Sequence, residues 1–433
     1  MTGEGAGAQP GFAGRLRHHA VDTRPLRIPA FRRQLAGQGT SFIGAMLTQV
    51  AVPVQVFQLS HSSLQVGMVG LVGFVPLVVF GLYGGSIADV VDRRTLYLLS
   101  SIGVWVVTLG LLVQTVLHLN SIPLILALVA VQAAFFAISS AARGAIIPRI
   151  VDSELVPAAN TLSFTVGNVG QVLGPLIAGV LVTRPNGFQW AYGFDAILFT
   201  LALYAALRLP HIPPDGTARK AGFHSVVEGL RFIAVRPVLF MSFGVDIVAM
   251  MFALPRALYP QVAAERWNGQ VGPLYAAIAI GAVIAGVSSG WIGRVRRQGV
   301  ALTVAIVGWG LCVAASGLAH RLWLAVLLLA FAGAADLVSS VYRQTILQTY
   351  APDEMRGRMQ GVFVVVVTGG PRLGDLRAGA TAAAAGVTVS WVGGGLLCAV
   401  LVLIAAFTVR PFWRYDAGAA GSPDVTAETV VPA

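Results

Sequence analysis

Long apolar runs separated by short polar segments fill most of the chain. Several of them, such as Thr95 to Val116, contain no charged residue. A helix needs about 20 apolar residues to cross the hydrocarbon core of a bilayer. The pattern therefore predicts an all-α membrane protein with 12 transmembrane helices. The predicted spans are 34–58, 64–88, 95–117, 122–145, 156–182, 188–208, 237–260, 270–293, 299–319, 321–343, 359–384 and 387–409.

Composition supports the same class of protein. The 433 residues are 56% hydrophobic and 11% charged, whereas soluble domains carry roughly 25% charged residues. The net charge of +11 would suggest a nucleic-acid partner in a soluble protein. Here the arginines lie between apolar runs, so the bilayer is the expected partner and nucleic acid is not.

The basic residues fall mainly on one set of loops. Arg184, Arg256, Arg266 and Arg321 are the exceptions on the opposite set. Loops on the cytoplasmic side of a membrane carry an excess of Lys and Arg. We therefore expect a multi-pass protein of the cytoplasmic membrane with both termini in the cytoplasm, in agreement with an even number of helices.

The chain divides into two six-helix halves. We expect disordered cytoplasmic extensions at 1–30 and 411–433, an N-terminal half at 31–209 and a C-terminal half at 237–410. A polar linker at 210–236 contains an amphipathic piece from Phe223 to Val235 that is predicted to lie along the membrane. Five residues of the first half recur 200 positions later, namely Arg143, Gly174, Leu176, Ala178 and Gly179. Such a parallel repeat resembles the major facilitator fold.

The loop after the second predicted helix resembles the gating motif of the major facilitator superfamily. It runs from Gly85 to Arg94, with an aspartate at Asp89 and bases at Arg93 and Arg94. The resemblance implies that the glycine allows close helix packing, the aspartate faces a helix N-terminus, and the arginines bridge to neighbouring acids. Val90 and Asp92 depart from the motif. The alternative is a charge cluster that only sets topology.

The fifth predicted helix resembles the motif that is associated with antiporters in this superfamily. Its small residues permit close helix contacts, and its proline removes a backbone hydrogen bond. The alternative is a packing kink without functional meaning. The motif residues are Gly170, Gly174, Pro175 and Gly179.

Acidic residues occur inside three predicted spans. Asp246 lies near the middle of the seventh helix, Asp336 in the cytoplasmic half of the tenth and Asp195 nearer the outer end of the sixth. Ionisable residues within a bilayer are costly and mark functional sites by default. Each of them is a candidate for proton exchange or for binding a cationic group, and a structural hydrogen bond is the alternative.

The eleventh predicted helix holds Arg372, Asp375 and Arg377. The first two are three residues apart and can pair on one helix face. Arg377 then has no local acid, so its expected partner is Asp336, Asp246 or an anionic substrate, or a structural ion network. Arg256, which follows a proline, is placed at the outer part of a cavity or at the membrane interface.

Charged clusters mark the cytoplasmic ends of both halves. Arg143 is followed by Glu154, and Arg343 is followed by Glu354, in equivalent places. We interpret them as salt bridges between helices that alternate during transport, with solvated loop charges as the alternative. Glutamines such as Gln49, together with aromatic side chains, are candidates for lining a substrate cavity.

Several segments are similar to the bacterial enterobactin exporter family. They are 50–67, 257–267, 273–286, 289–299 and 347–361. The similarity runs through most of residues 30–410 and implies proton-driven export of a catecholate or related siderophore, with a proton gradient and no other cofactor. An anionic substrate would suit Arg256, Arg372 and Arg377. Relatives with the same frame include macrolide and multidrug efflux proteins.

Other classes of membrane protein fit less well. None of the seven histidines lies in the middle of a predicted helix, so a haem enzyme is not expected. The sole lysine, Lys220, has no glycine before it, which excludes a P-loop ATPase on this chain. Cys312 and Cys398 lie in apolar runs and do not suggest a metal site. A small-molecule transporter acting as a monomer is predicted, with a non-transporting receptor or scaffold as a distant alternative.

Overall fold

The computed structural model describes residues 22–144, 146–211, 223–350 and 353–413, and this part of the chain is almost entirely helical. Side chains at 82–90, 223–227, 348–350 and 353–365 lie outside the description. Helices dominate because backbone polar groups in lipid must be satisfied within their own segment. The helices of the first half are α1 Pro29–Ser60, α2 Ser63–Val90, α3 Arg93–Val116, α4 Ile122–Gly144, α5 Val156–Val182 and α6 Gly187–Leu207.

The second half repeats this succession after a connecting helix. The amphipathic piece of the linker forms α7, from Phe223 to Ala234, while residues 212–222 lie outside the described chain. The remaining helices are α8 Pro237–Phe252, α9 Tyr259–Arg266, α10 Gly272–Val287, α11 Gln298–Gly317, α12 Leu322–Tyr350, α13 Asp353–Ala385 and α14 Val387–Thr408.

The seventh predicted span, 237–260, is broken instead of forming one continuous helix. It ends as α8 at Phe252, makes a 3-10 turn at Arg256–Leu258 and resumes as α9. Pro255 explains the break, because proline has no N–H to donate and disfavours helical geometry in the residue before it. The break points the backbone of residues 251–257 towards α13.

Each of the 12 predicted spans contains a helix, and the all-α membrane fold is confirmed. Within the described residues, ten helical segments are long and apolar enough to cross a membrane, with the broken segment from Pro237 to Arg266 counted as one. The apolar helix α10 is shorter, with 16 residues, and α13 has 33 residues but carries charges along its length. The exact number of 12 spans therefore stays a prediction.

The two halves meet through two helix pairs, α2 with α13 and α5 with α10. Both contacts depend on glycine. A Cβ atom at Gly179 of α5 would lie 2.6 Å from the backbone nitrogen of Gly272, and one at Gly67 of α2 would lie 2.6 Å from the carbonyl oxygen of Asp375. These contacts lie at the helix ends that the charge pattern predicts to face outside. The halves are therefore closely packed at that end.

Candidate functional site

A cavity of about 410 Å³ lies between the halves. This volume is within the usual range for small-molecule pockets, about 300–1,000 Å³. Most of its wall comes from α1, α2, α3, α4 and α13, with the 3-10 turn after Pro255 at one side. Polar and aromatic lining residues are Ser41, Phe42, Thr48, Gln49, Tyr97, Ser101, Gln132, Phe136, Ser139, Phe199, Tyr275 and Thr368.

Arginines dominate the charge of the cavity. The lining includes Arg143 on α4, Arg256 in the 3-10 turn and Arg372 on α13, against one acid, Asp375. An excess of positive charge in a cleft with low-dielectric walls raises the local concentration of anions. Arginine is also suited to carboxylate and phenolate oxygens, because its planar group offers several donors. The described part of the cavity therefore favours an anionic ligand.

Asp375 holds the broken seventh span against α13. Its Oδ1 accepts a hydrogen bond from the backbone N–H of Ala257 at 3.2 Å. The hydroxyl of Tyr275 donates to the carbonyl oxygen of Arg256 at 3.2 Å, and its ring meets that of Tyr259 edge-on at 5.0 Å. These contacts fix the backbone that carries Arg256, so its side chain begins from a rigid position beside the cavity.

The predicted pair between Arg372 and Asp375 is not formed. Asp375 is occupied by the N–H of Ala257, and the guanidinium of Arg372 lies against Gly73 of α2, where a Cβ would collide with it. A contact across the interface between the halves has replaced the local pair on one helix face. Gly73 permits this close approach, because it has no side chain.

An ionic cluster lies inside the second half, between α8 and α12. Arg343 forms an ion pair with Asp246, and its Nη2 lies 3.8 Å from Asp336 Oδ1. Arg343 and Asp246 are 5% and 3% exposed. Arg343 is thus buried among helices, and its predicted pairing with Glu354 stays a prediction. The side chain of Glu354 lies outside the described residues.

Arg377 meets none of the acidic partners that the sequence suggested. Its Nε donates to the carbonyl of Met251 at 3.0 Å, and its Nη2 donates to the carbonyl of Phe252 at 2.5 Å. Its Nη1 donates to the carbonyl of Ser390 at 3.4 Å. The last carbonyls of a helix have no partner within the helix and favour a cation. Arg377 thus caps the end of α8, and the expected ion pair with Asp336 or Asp246 is absent.

Asp195 lies in the first half, where α6 packs on α1. Its Oδ2 accepts a hydrogen bond from the Thr48 hydroxyl at 2.5 Å, and it is 1% exposed. Its Oδ1 faces Gly44 and has no hydrogen-bond partner in the structure. Asp195 therefore differs from Asp246, which has an arginine beside it.

The predicted gating loop is described only in part. Gly85 and Asp89 lie in α2, but their side chains are outside the described residues. Arg93 is buried, and Arg94 donates to the carbonyl of Leu207 at 2.7 Å, which ties this loop to the end of α6. The gating role of the motif stays a prediction.

Asp92, one of the two departures from the gating motif, has a structural explanation. Its Oδ1 accepts from the backbone N–H of Thr95 at 2.8 Å and so caps the N-terminus of α3. Its Oδ2 lies 2.7 Å from Nδ1 of His211, just beyond α6. The aspartate thus fixes the start of one helix and contacts the end of another.

Arg143 and Glu154 are not paired. Arg143 lies in the cavity wall, whereas Glu154 is exposed in a short 3-10 turn before α5. The expected salt bridge across this end of the first half is therefore absent. Arg143 belongs instead to the positive charge of the cavity.

The antiporter-like motif forms two different contacts. Gly170 and Gly174 face α1, where Cβ atoms would collide with Phe42 and Met46, and Pro175 lies inside α5 without ending it. Gly179 instead faces α10 of the other half. The motif therefore packs α5 against α1 along most of its length and against the opposite half at its end. Its connection with transport direction stays a prediction.

Several residues of the cavity were not predicted from the sequence. Tyr275, Tyr97 and Thr48 all line it, yet each was read as part of an apolar run. Hydroxyl groups inside predicted membrane spans were the available signal, because polar side chains in lipid-spanning helices usually face the bundle interior. Gln49 lines the cavity as predicted, together with aromatic side chains such as Phe136.

Comparison with known proteins gives the family. The model of the transmembrane secretion effector family matches residues 21–427. The enterobactin exporter EntS of Escherichia coli O81 (strain ED1a) is 31% identical over 394 residues, which cover 89% of this chain and 93% of the exporter. EntS of E. coli O139:H28 (strain E24377A / ETEC) matches with the same identity and coverage. Since these relatives are transporters, the chain is not an enzyme.

Solved structures agree on the fold. The nucleoside transporter NupG has a TM-score of 0.68 at 13% identity and covers 89% of this chain and 99% of its own. The inward-open xylose transporter XylE from E. coli has a TM-score of 0.65 at 13% identity, covering 87% of this chain and 94% of its own. At such identities the likeness shows the fold alone. The chain belongs to the transmembrane secretion effector family of the major facilitator superfamily, and it is a multi-pass membrane transporter.

Proposed function

We propose that this transporter exports a small anionic molecule of the catecholate siderophore class from the cytoplasm and uses the proton gradient as its energy source. The observation that carries the proposal is the positive cavity between the halves, with Arg143, Arg256 and Arg372 against one acid. The similarity to an enterobactin exporter supports a catecholate. Catecholates combine acidic oxygens, which arginine binds well, with flat rings.

Aromatic side chains suit the rings of such a substrate. Phe42 and Phe136 lie in the wall of the cavity that the first half provides, and Tyr275 lies in the wall that the second half provides. Aromatic rings attract each other in offset or edge-to-face arrangements, at about 0.5–1.5 kcal/mol beyond area burial. A substrate that contacts both halves at once would couple the movement of one half to that of the other.

Outward transport is supported by two features. The antiporter-like motif around Pro175 occurs in exporters of the superfamily, and the relative at 31% identity is an exporter. The location that follows is the cytoplasmic membrane, with both termini in the cytoplasm and one chain as the transporting unit. No cofactor is required beyond the proton gradient.

Multidrug or macrolide efflux is the second candidate. Apolar side chains form much of the cavity wall, including Val52, Val66, Val104 and Val129, and such a surface suits neutral or cationic drugs. A drug exporter would not depend on the cavity arginines. A receptor or scaffold that does not transport is the third candidate and would show no substrate flux at all.

Transport in inverted membrane vesicles tests the proposal. With an imposed pH gradient, we expect uptake of radiolabelled enterobactin that stops when a protonophore collapses the gradient. Arg256→Gln and Arg372→Gln should each raise the half-saturation concentration for enterobactin roughly 10-fold or more. The reason is that a charge-assisted hydrogen bond contributes about 1.5–3 kcal/mol. Arg321→Gln is the matched control, because Arg321 is exposed just before α12.

Each candidate gives a distinct result in this experiment. Uptake of a macrolide that is unaffected by either arginine variant, with no enterobactin uptake, would support multidrug efflux. Uptake of enterobactin that is equal with and without the gradient would contradict proton coupling. Flux of neither compound in vesicles that contain folded protein would favour the scaffold.

A further inference from the structure

Asp195 is a buried carboxylate with no cation beside it. It is 1% exposed, and the hydroxyl of Thr48 is its hydrogen-bond partner, at 2.5 Å. The other carboxylate oxygen faces Gly44 and has no hydrogen-bond partner within 3.5 Å. Within the described residues, no Arg, Lys or His forms an ion pair with it at 4.0 Å or less.

The other acids in the described spans each have a compensating contact that Asp195 lacks. Asp246 forms an ion pair with Arg343, and Asp336 lies 3.8 Å from the same guanidinium. Asp375 accepts a backbone hydrogen bond from Ala257 and shares the cavity with three arginines. Among the acids in the described spans, Asp195 is thus the one with neither a neighbouring cation nor a backbone hydrogen-bond donor.

The surroundings of Asp195 are polar but uncharged. From α1 it meets Thr48, and from α3 the hydroxyl of Thr108 lies near it. On α6 itself, the nearest ionisable group is Tyr192, whose hydroxyl donates to Gln55 at 2.7 Å. None of these groups supplies a positive charge. Burying an ionised carboxylate without a counter-charge costs far more than burying the neutral acid, so these surroundings favour the protonated form over the carboxylate.

Two side chains connect this acid to the central cavity. Thr48 lines the cavity and contacts Asp195 directly. Gln132, also in the cavity wall, donates to the hydroxyl of Thr108 at 3.2 Å. Hydroxyl groups both accept and donate protons. A proton on Asp195 therefore has a short polar route to the space that holds the substrate.

We propose that Asp195 carries the transported proton, holds it in the conformation seen here and exchanges it with the cavity through Thr48. When α1 and α6 shift, the O–H bond of the acid breaks, the proton passes to solvent in the cavity and the carboxylate remains until it is reloaded. The role of Asp246 is then structural, because its charge already balances Arg343. The coupling rests on the proposed export function, whereas the protonated state of Asp195 does not.

Infrared spectroscopy tests the protonated state without any substrate. In the purified transporter at neutral pH, we expect a carbonyl-stretch band of a protonated carboxylic acid that is lost in Asp195→Asn. The band should remain in Asp246→Asn and in Thr200→Val, a control on the same helix whose hydroxyl bonds to Ala196. A band that persists in Asp195→Asn, or that disappears in Asp246→Asn, would overturn the proposal.

Transport assays test the coupling role. Asp195→Asn should lose gradient-driven accumulation of enterobactin, down to the level without a gradient, while substrate exchange at equal pH on both sides continues. Thr48→Val should slow the accumulation and keep the infrared band, because the acid remains but its contact with the cavity is lost. Accumulation by Asp195→Asn that equals the wild type would refute the coupling role.

Failure of the export proposal can be told apart from failure of this one. If the wild type accumulates no enterobactin, but the infrared band is present and depends on Asp195, the substrate assignment is wrong and the buried proton site stands. If enterobactin accumulation is gradient-driven and the band does not depend on Asp195, the export proposal stands and the proton site at Asp195 is wrong.

Discussion

The buried guanidinium of Arg343 balances the charge of the acids around it. Its side chain is 5% exposed and forms an ion pair with Asp246, while Asp336 lies 3.8 Å away. Two buried ions attract each other strongly in a medium of low dielectric, but both have lost their hydration. Removing one partner is therefore much worse than removing both, because the remaining charge is uncompensated.

This asymmetry predicts the order of stability among three variants. Arg343→Met should lower the free energy of unfolding by about 3 kcal/mol or more, since Asp246 would be buried without a cation. Asp246→Asn should cost less, because Asp336 is still near Arg343. The double variant should be more stable than Arg343→Met. Thermal unfolding in detergent measures all three, and a double variant that is less stable than both single ones would contradict this account.

Arg377 uses its positive charge to donate hydrogen bonds to backbone carbonyls. It donates to the carbonyls of Met251, Phe252 and Ser390, and so compensates the end of α8 where Pro255 interrupts the span. We expect Arg377→Gln to lower stability by about 1.5–3 kcal/mol, the contribution of hydrogen bonds from a charged group. The half-saturation concentration for enterobactin should stay within about twofold of the wild type. A large loss of affinity with unchanged stability would place Arg377 in the substrate site instead.

At the scale of helices, the contact of α5 with α10 depends on two facing glycines. A Cβ at Gly179 would lie 2.5 Å from the Cα of Gly272, closer than carbon atoms approach without contact repulsion. The predicted outer ends can pack closely only with these residues in place. Opening that end during transport must separate the same two positions.

Gly179→Val should therefore favour the state in which the predicted outer end is open. Spin labels at Arg184→Cys and Gln270→Cys, with Cys312 and Cys398 replaced by serine, would report this as a shift to longer distances. Gly167→Val is the matched control, because a Cβ at that position of α5 meets nothing within 4 Å. Equal distance distributions for the two variants would show that the glycine contact does not hold the ends together.

Much of the fold could be predicted from sequence, because each helix depends on its own apolar run. The break at Pro255 was missed, since membrane helices also tolerate proline, as Pro175 shows within α5. The partners in the site were harder to predict. Arg343 and Asp246 are far apart in the chain, and Arg377 meets carbonyls that become available only where α8 ends. Local spacing suggested a pair for Arg372 and Asp375, but packing between the halves gave both residues other contacts.

At the scale of the whole molecule, the halves share a fold but differ in buried chemistry. The first half holds Asp195 among uncharged hydroxyls and amides, and the second half holds the ionic cluster of Arg343. The cavity between them takes basic residues from both, Arg143 from one and Arg256 from the other. The two halves therefore share the same helical arrangement but differ in the charged groups that they bury.

Orientation in the membrane is a property of the entire chain and can be tested directly. Basic loops resist translocation, so the segment from Arg294 to Arg297 between α10 and α11 should face the cytoplasm, and Arg321 before α12 should face outside. In a variant with Cys312 and Cys398 replaced by serine, Arg321→Cys should react with an impermeant maleimide in intact spheroplasts. Arg296→Cys should react only after permeabilisation. The opposite pattern would reverse the topology, and with it the side from which the cavity takes its substrate.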